Sequence, residues 1–162
     1  MLLIRKWRLS NVKDSSLSTL EVGALPDNLR TEIQNDEVIL FEEGIPVTVR
    51  RHGTAPGFRG GGIGSFSGAF AVTNRRLVAG ISKTVVMDAS CDTKDAKGAQ
   101  ASFAEDGLHI TIDAGIHPRC TGEIQLHFKQ HLPETELARF PCQKIIFQFP
   151  VDLIPKMFGA PA

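Results

Sequence analysis

Leu108-His109-Ile110-Thr111-Ile112-Asp113 and Glu123-Ile124-Gln125-Leu126-His127-Phe128 are the two stretches on which the reading of this chain turns. In each, apolar side chains alternate with polar ones. Successive side chains of a strand point to opposite faces, so this period of two marks a strand with one buried and one wet face. Residues 114–122 join the two runs, which predicts an antiparallel hairpin. Pairing Asp113 with Glu123 turns Ile110 and Leu126 inward and sets His109 opposite His127 on the wet side. A slip of one residue would reverse the faces of one strand.

Strand signals continue on the N-terminal side. Residues 67–73 read as a strand, Asn74-Arg75 as a turn, and 77–79 and 84–87 as further β segments separated by Gly80. Residues 37–41 and 45–51 are β-rich and broken at Glu43-Gly44. Residues 53–64 hold six glycines and one proline, which predicts a loop by composition. Residues 91–100 also read as a loop. Helical signals are short. Leu25, Leu29 and Ile33 recur at i, i+4, i+8 behind Pro26, which suits a helix start. Residues 133–140 open on Pro133 with Glu134 and Glu136 in the first turn, where the helix dipole favours acids. Residues 144–149 are β-prone, and 151–162 form an apolar tail.

The composition bounds the rest. The chain has 162 residues, 42% hydrophobic, and reads as one domain over 1–162 with a core at about residues 25–140. Eighteen basic and eighteen acidic side chains cancel. This argues against a nucleic-acid partner, which needs excess cations to displace counterions. It also leaves self-association unopposed by net charge. Cys91, Cys120 and Cys142 are odd in number and widely spaced. Neither a disulfide framework nor a zinc knuckle is expected from them, and a reducing, cytoplasmic home follows. Residues 1–10 lack the apolar core of a signal peptide.

Asp36-Glu37-Val38-Ile39-Leu40, then Gly68-Ala69-Phe70-Ala71-Val72-Thr73-Asn74-Arg75-Arg76-Leu77-Val78, then Gly122-Glu123-Ile124-Gln125-Leu126-His127-Phe128 resemble segments of a bacterial pleckstrin-homology-like (PH-like, GRAM-like) domain. The Thr-Asn-Arg-Arg-Leu turn is the most specific of them. The resemblance implies a mainly β fold: a bent antiparallel sheet or half-open barrel with a short closing helix. It also implies that a loop flanked by Arg51 and Arg59 is the place to look for an anionic headgroup.

The expected function is a non-enzymatic binding or scaffolding module, acting through a protein partner or through self-assembly as a homo-oligomer. An alternative is a peripheral binder of anionic lipid headgroups. Its hypothetical anion site comprises Arg50, Arg51 and Arg59 beside the glycine-rich stretch, with Arg75 and Arg76 in the turn. An alternative of another class is an enzyme using His117 and Cys120, although no third, orienting group is assigned to them. No cofactor is expected. No metal is expected either: His109 and His127 supply two ligands where three or four are usual, and neither Thr111 nor Gln125 makes up the number. The apolar side chains of residues 144–158 are expected to be either the closure of the barrel or an exposed interface.

Overall fold

The structure, a computed structural model, describes residues 25, 31, 36–82, 84–93 and 96–158. Eight strands follow in order: β1 (Val38–Ala55), β2 (Phe58–Thr73), β3 (Arg76–Ile81), β4 (Thr84–Ser90), β5 (Gly98–Ala104), β6 (Gly107–Asp113), β7 (Thr121–Lys129) and β8 (Lys144–Gln148). Two one-turn helices, α1 (Glu134–Leu137) and α2 (Leu153–Met157), complete the described elements together with a 3₁₀ turn at Ala114–Ile116. All pairings are antiparallel, and the sheet order is β4-β3-β2-β1-β7-β6-β5-β8. The sheet curls into a nearly closed barrel, with β4 and β8 as its two edges.

The deciding hairpin forms as the alternation requires. Asp113 pairs with Glu123, Ile110 with Leu126, and His109 with His127. Leu108, Ile110, Ile112, Ile124, Leu126 and Phe128 are all buried in one cluster that runs through the barrel interior. A second, smaller cluster lies on the opposite face of β1–β3, where Leu25 packs with Val38, Phe41, Ala69, Ala71 and Val78. This double burial explains why residues 69–72 read as apolar without alternation. Most of the helix expected over 25–33, and the strand signal of the first ten residues, lie outside the described residues.

Several expectations are corrected. The two β segments before residue 52 are one strand: the register shifts between Glu42 and Ile45, so Glu43-Gly44 is a bulge rather than a break. Residues 53–64 are not a loop but the tip of the β1–β2 hairpin, paired from Gly53↔Gly60 to Ala55↔Phe58. The turn itself is Pro56-Gly57, with Gly57 at φ 80°. Pro fixes the first central residue and Gly supplies the positive φ of the second. Gly53 lies between Gly60 and Gly122 across three strands. A Cβ there would collide with the Thr121 carbonyl, so Gly53, one of the glycines that made this stretch look loop-like, permits a close crossing of β1 and β7. Residues 98–100 begin β5 instead of continuing a loop. Its inward residues Ala99 and Ala101 are too small to advertise a strand.

Closure also differs from expectation. The helix expected over 133–140 shrinks to α1, and the barrel is completed by β8, which pairs with β5 from Gly98↔Gln148 to Ser102↔Lys144. Ile145, Phe147, Phe149, Ile154 and Phe158 are buried, so most of the apolar side chains of residues 144–158 are core, while Ile146 faces outward at 48% exposure. The core therefore continues well past residue 140. Cys91, just after β4, and Cys142, just before β8, form a disulfide with Cα atoms 6.0 Å apart. The widely spaced cysteines do pair, because closing the barrel brings its two edge strands together. The bond ties β4 to β8 where the hydrogen-bonded ladder has its gap. Among the described residues, no helix is long and apolar enough to cross a membrane.

Candidate functional site

The five arginines expected to bind an anion are dispersed. Arg51 follows Val47 and Val49 on the inward side of β1. Its Nη1–H donates to the Met157 carbonyl at 3.1 Å, and its guanidinium lies 5.9 Å from the centre of the Phe58 ring. Phe58 in turn packs on Phe158, with ring centroids 5.2 Å apart. Arg51 thus pins α2 across one end of the barrel. Arg50, its neighbour in sequence, points to the outer face, and Arg59 is exposed near the hairpin tip. Arg75 and Arg76 belong to a different structure. Thr73, fully buried, accepts hydrogen bonds at Oγ1 from the backbone N–H of Arg75 and Arg76, and donates to Asp36 Oδ2 at 3.1 Å. Asn74 exchanges bonds with Glu37, its N–H donating to the Glu37 carbonyl and its Oδ1 accepting from the Glu37 N–H. The Arg76 guanidinium spans Asp36 and Asp88, each at 3.4 Å. The Thr-Asn-Arg-Arg-Leu segment is therefore a turn tied to Asp36, Glu37 and Asp88, from which the Arg75 side chain projects into solvent.

His117 and Cys120 stand in different environments. Cys120 belongs to the buried core, and burial pushes its thiol above the ordinary range, against a smaller opposing effect of Arg119. A thiol so shielded is a poor nucleophile. His117 Nδ1 accepts from the Arg119 backbone N–H at 3.0 Å, which turns the imidazole toward its own loop.

Two arrangements were not legible in the sequence. The first surrounds the histidine pair. The β5–β6 turn places Asp106 beside it. His109 Nε2–H donates to Asp106 Oδ1 at 2.8 Å, and His127 Nε2–H donates to the Asp106 carbonyl at 3.0 Å while standing 3.6 Å from Oδ2. The imidazoles stack with centroids 4.1 Å apart and planes 15° from parallel. The hydrogen bond from His109 holds the Asp106 carboxyl below its ordinary value. Partial burial opposes this, and the charges of His109 and then His127 add to it. The signal that would have found Asp106 is its place three residues before His109 in a tight turn; the alternation alone shows only the histidines.

The second arrangement is an open edge. β2 pairs with β3 only over Gly68↔Ile81 to Val72↔Leu77. One further bond, from the Ser82 N–H to the Ser67 carbonyl, ends that seam. From Phe58 to Phe66, β2 is bonded to β1 on one side and, among the described residues, to no backbone group on the other. The edge displays the two most exposed large apolar side chains of β2, Ile63 at 64% and Phe66 at 42%. Natural sheets usually block such edges with charge, proline or a covering segment. Here the only charged side chain in the stretch is Arg59. Compared with known proteins, the chain matches no family model, no curated protein and no solved structure.

Proposed function

We propose that this chain is a non-enzymatic binding module that assembles by strand addition at the open edge of β2, and that the added strand is β2 of a second copy. The observation that carries the reading is the run Phe58–Phe66, a long, glycine-rich strand edge whose backbone donors and acceptors on one side have no backbone partner among the described residues. An unpaired edge is a template for another strand.

A second copy suits it better than a charged partner. The net charge of zero sets no long-range repulsion between copies. A two-fold axis perpendicular to an antiparallel sheet passes through a pair of identical residues. With Ile63 opposite Ile63, Phe66 lies across from Gly60 and Arg59 from Ser67. Each aromatic ring then covers a glycine, and no like charges meet.

The pleckstrin-homology-like resemblance remains part of this proposal. It is supported by the bent antiparallel sheet, while β8 takes the place of the closing helix that the resemblance implies. The disulfide favours an oxidising compartment over the reducing cytoplasm for this module. A peripheral lipid role gains less support, because Arg51 is committed to α2 and stands apart from the exposed Arg59.

Light scattering on the purified chain at rising concentration tests the reading. The expected result is a monomer–dimer equilibrium. Ile63→Lys and Ile63→Glu should each be monomeric, since each sets like charges directly opposite one another, and their mixture should recover the dimer. A wild-type chain that stays monomeric to millimolar concentration, or a dimer that both variants leave intact, overturns it.

A further inference from the structure

We propose that Asp106, His109 and His127 form a binding site for a divalent transition-metal ion of the zinc, copper or nickel class. Three kinds of observation carry this, independently of the assembly proposed above.

The first is convergence. One ligand atom from each residue lies within 4.8 Å of the others, and both imidazoles present Nε2 to the same aspartate. Around a tetrahedral ion with Zn–N of about 2.0–2.1 Å, two imidazole nitrogens sit about 3.3 Å apart. Bringing both Nε2 lone pairs onto one ion requires the two imidazoles to turn out of their near-parallel stack about their side-chain bonds, which their exposure allows.

The second is rigidity. His109 and His127 are directly paired across β6 and β7, and on each side of them the inward pairs Leu108↔Phe128 and Ile110↔Leu126 are buried. A slip of register would drive those apolar side chains into water. The backbones that carry the two imidazoles are therefore held at a fixed separation by the barrel core, and only the side chains need turn. Asp106 is held in turn by a two-residue connection between the paired Ala104 and Gly107. Its flank is fixed further by the Gln130 N–H, which donates to the Asp106 carbonyl, and by the Leu132 N–H, which donates to the Glu105 carbonyl at 2.8 Å.

The third is the chemistry of the donor set. Two neutral imidazoles and one carboxylate are borderline ligands. They suit zinc, copper and nickel, and are a poor match to calcium or magnesium, which take oxygen. Without an ion, both Nε2 protons point at a single aspartate. An ion would replace those two protons as the imidazoles shift to their Nδ1–H tautomers. Side-chain exposures of 62% for Asp106, 40% for His109 and 29% for His127 leave the remaining coordination position open to water or an incoming ligand. Arg50, Thr111 and Lys129 line the adjoining groove, so an anion is the species favoured there.

The test is isothermal titration of zinc and, separately, nickel into the full chain freed of any histidine tag, with cobalt(II) absorption as a second readout. Binding of one ion per chain is expected. His109→Ala, His127→Ala and Asp106→Ala should each weaken it at least about tenfold, the range that even the loss of an indirect metal contact produces. His131→Ala should leave it unchanged. The cobalt spectrum should lack the intense band of a thiolate ligand, because Cys120 is buried. Circular dichroism of each variant checks that the hairpin still forms. An absence of binding below millimolar metal overturns the proposal, as does binding that survives His109→Ala and His127→Ala in folded protein.

Discussion

Breaking the Cys91–Cys142 disulfide is the perturbation for which the structure gives the firmest magnitude. The bond spans 51 residues of sequence, which include β5, β6 and β7 and the hairpin connections between them. The chain-entropy relation for a loop of that length gives about 14 cal/mol/K, or about 4 kcal/mol at 25 °C. In a domain of this size, about 4 kcal/mol lowers the melting temperature by about 8–16 °C. The location adds a structural reason for the loss. β4 and β8 share no backbone ladder, so the disulfide is the tie between the two ends of an eight-stranded sheet. Both cysteines pack against the barrel core, beside buried residues that the two edges enclose. Thiol titration under denaturant comes first: it should find one thiol per chain before reduction, that of Cys120, and three after it. Urea unfolding then compares the oxidised chain, the reduced chain, and Cys91→Ser with Cys142→Ser. The reduced chain and the double variant should shift together. Three thiols before reduction would refute the pairing. A reduced chain that unfolds at the same urea concentration as the oxidised one would refute the view that the bond closes the barrel.

Two further outcomes follow from the packing. Leu126→Ala should cost about 2–5 kcal/mol in urea unfolding, because the side chain is fully enclosed by the opposite wall of the barrel. Arg51→Ala should cost about 1–3 kcal/mol by removing a charged donor to the Met157 carbonyl, whereas Arg59→Ala should stay within about 0.5 kcal/mol. Sedimentation with anionic vesicles at low salt distinguishes this structural role of Arg51 from a lipid-gripping one: binding that depends on Arg51 in folded protein would contradict it.

What the sequence made legible was governed by side-chain size and spacing. The hairpin of β6 and β7 could be read to its register, because six large apolar residues alternate without interruption. β5 obeys the same alternation, but its inward Ala99 and Ala101 carry almost no signal, and only Phe103 marks it. The β1–β2 tip was hidden for the opposite reason. Glycine is rare in strands, yet here Gly53 and Gly122 stand side by side because β1 and β7 approach so closely there that neither leaves room for a Cβ, while Gly60 beside them takes a positive φ. The disulfide could not be inferred from spacing, since a separation of 51 residues is spanned only after the sheet has curled. Arg51 and Arg59 looked equivalent in a basic, glycine-rich stretch, and strand alternation separates them: one turns inward to hold α2, the other faces water. Asp106 was missed because a side chain supplied by a turn has no periodicity to reveal it.

The open edge and the histidine cluster share the outer face of one sheet, and their separation decides whether they can be tested apart. Ser65 on β2 pairs with Thr48 on β1, Thr48 with His127 on β7, and His127 with His109 on β6. The histidines therefore lie two and three strands in from the β2 edge, about 10–15 Å at the usual inter-strand spacing. Ile63 sits in the neighbouring row, which continues through Arg50, Gln125 and Thr111. None of the three metal-site residues belongs to the edge, and no edge residue reaches the site. Substitutions this far apart, with no shared partner, are expected to act additively. Ile63→Lys should thus abolish strand addition and leave zinc binding intact, while His109→Ala should do the reverse. If a variant at one location disables both functions while the barrel stays folded, the surfaces are coupled through assembly. That outcome would refute the independence that the separation of about 10–15 Å implies.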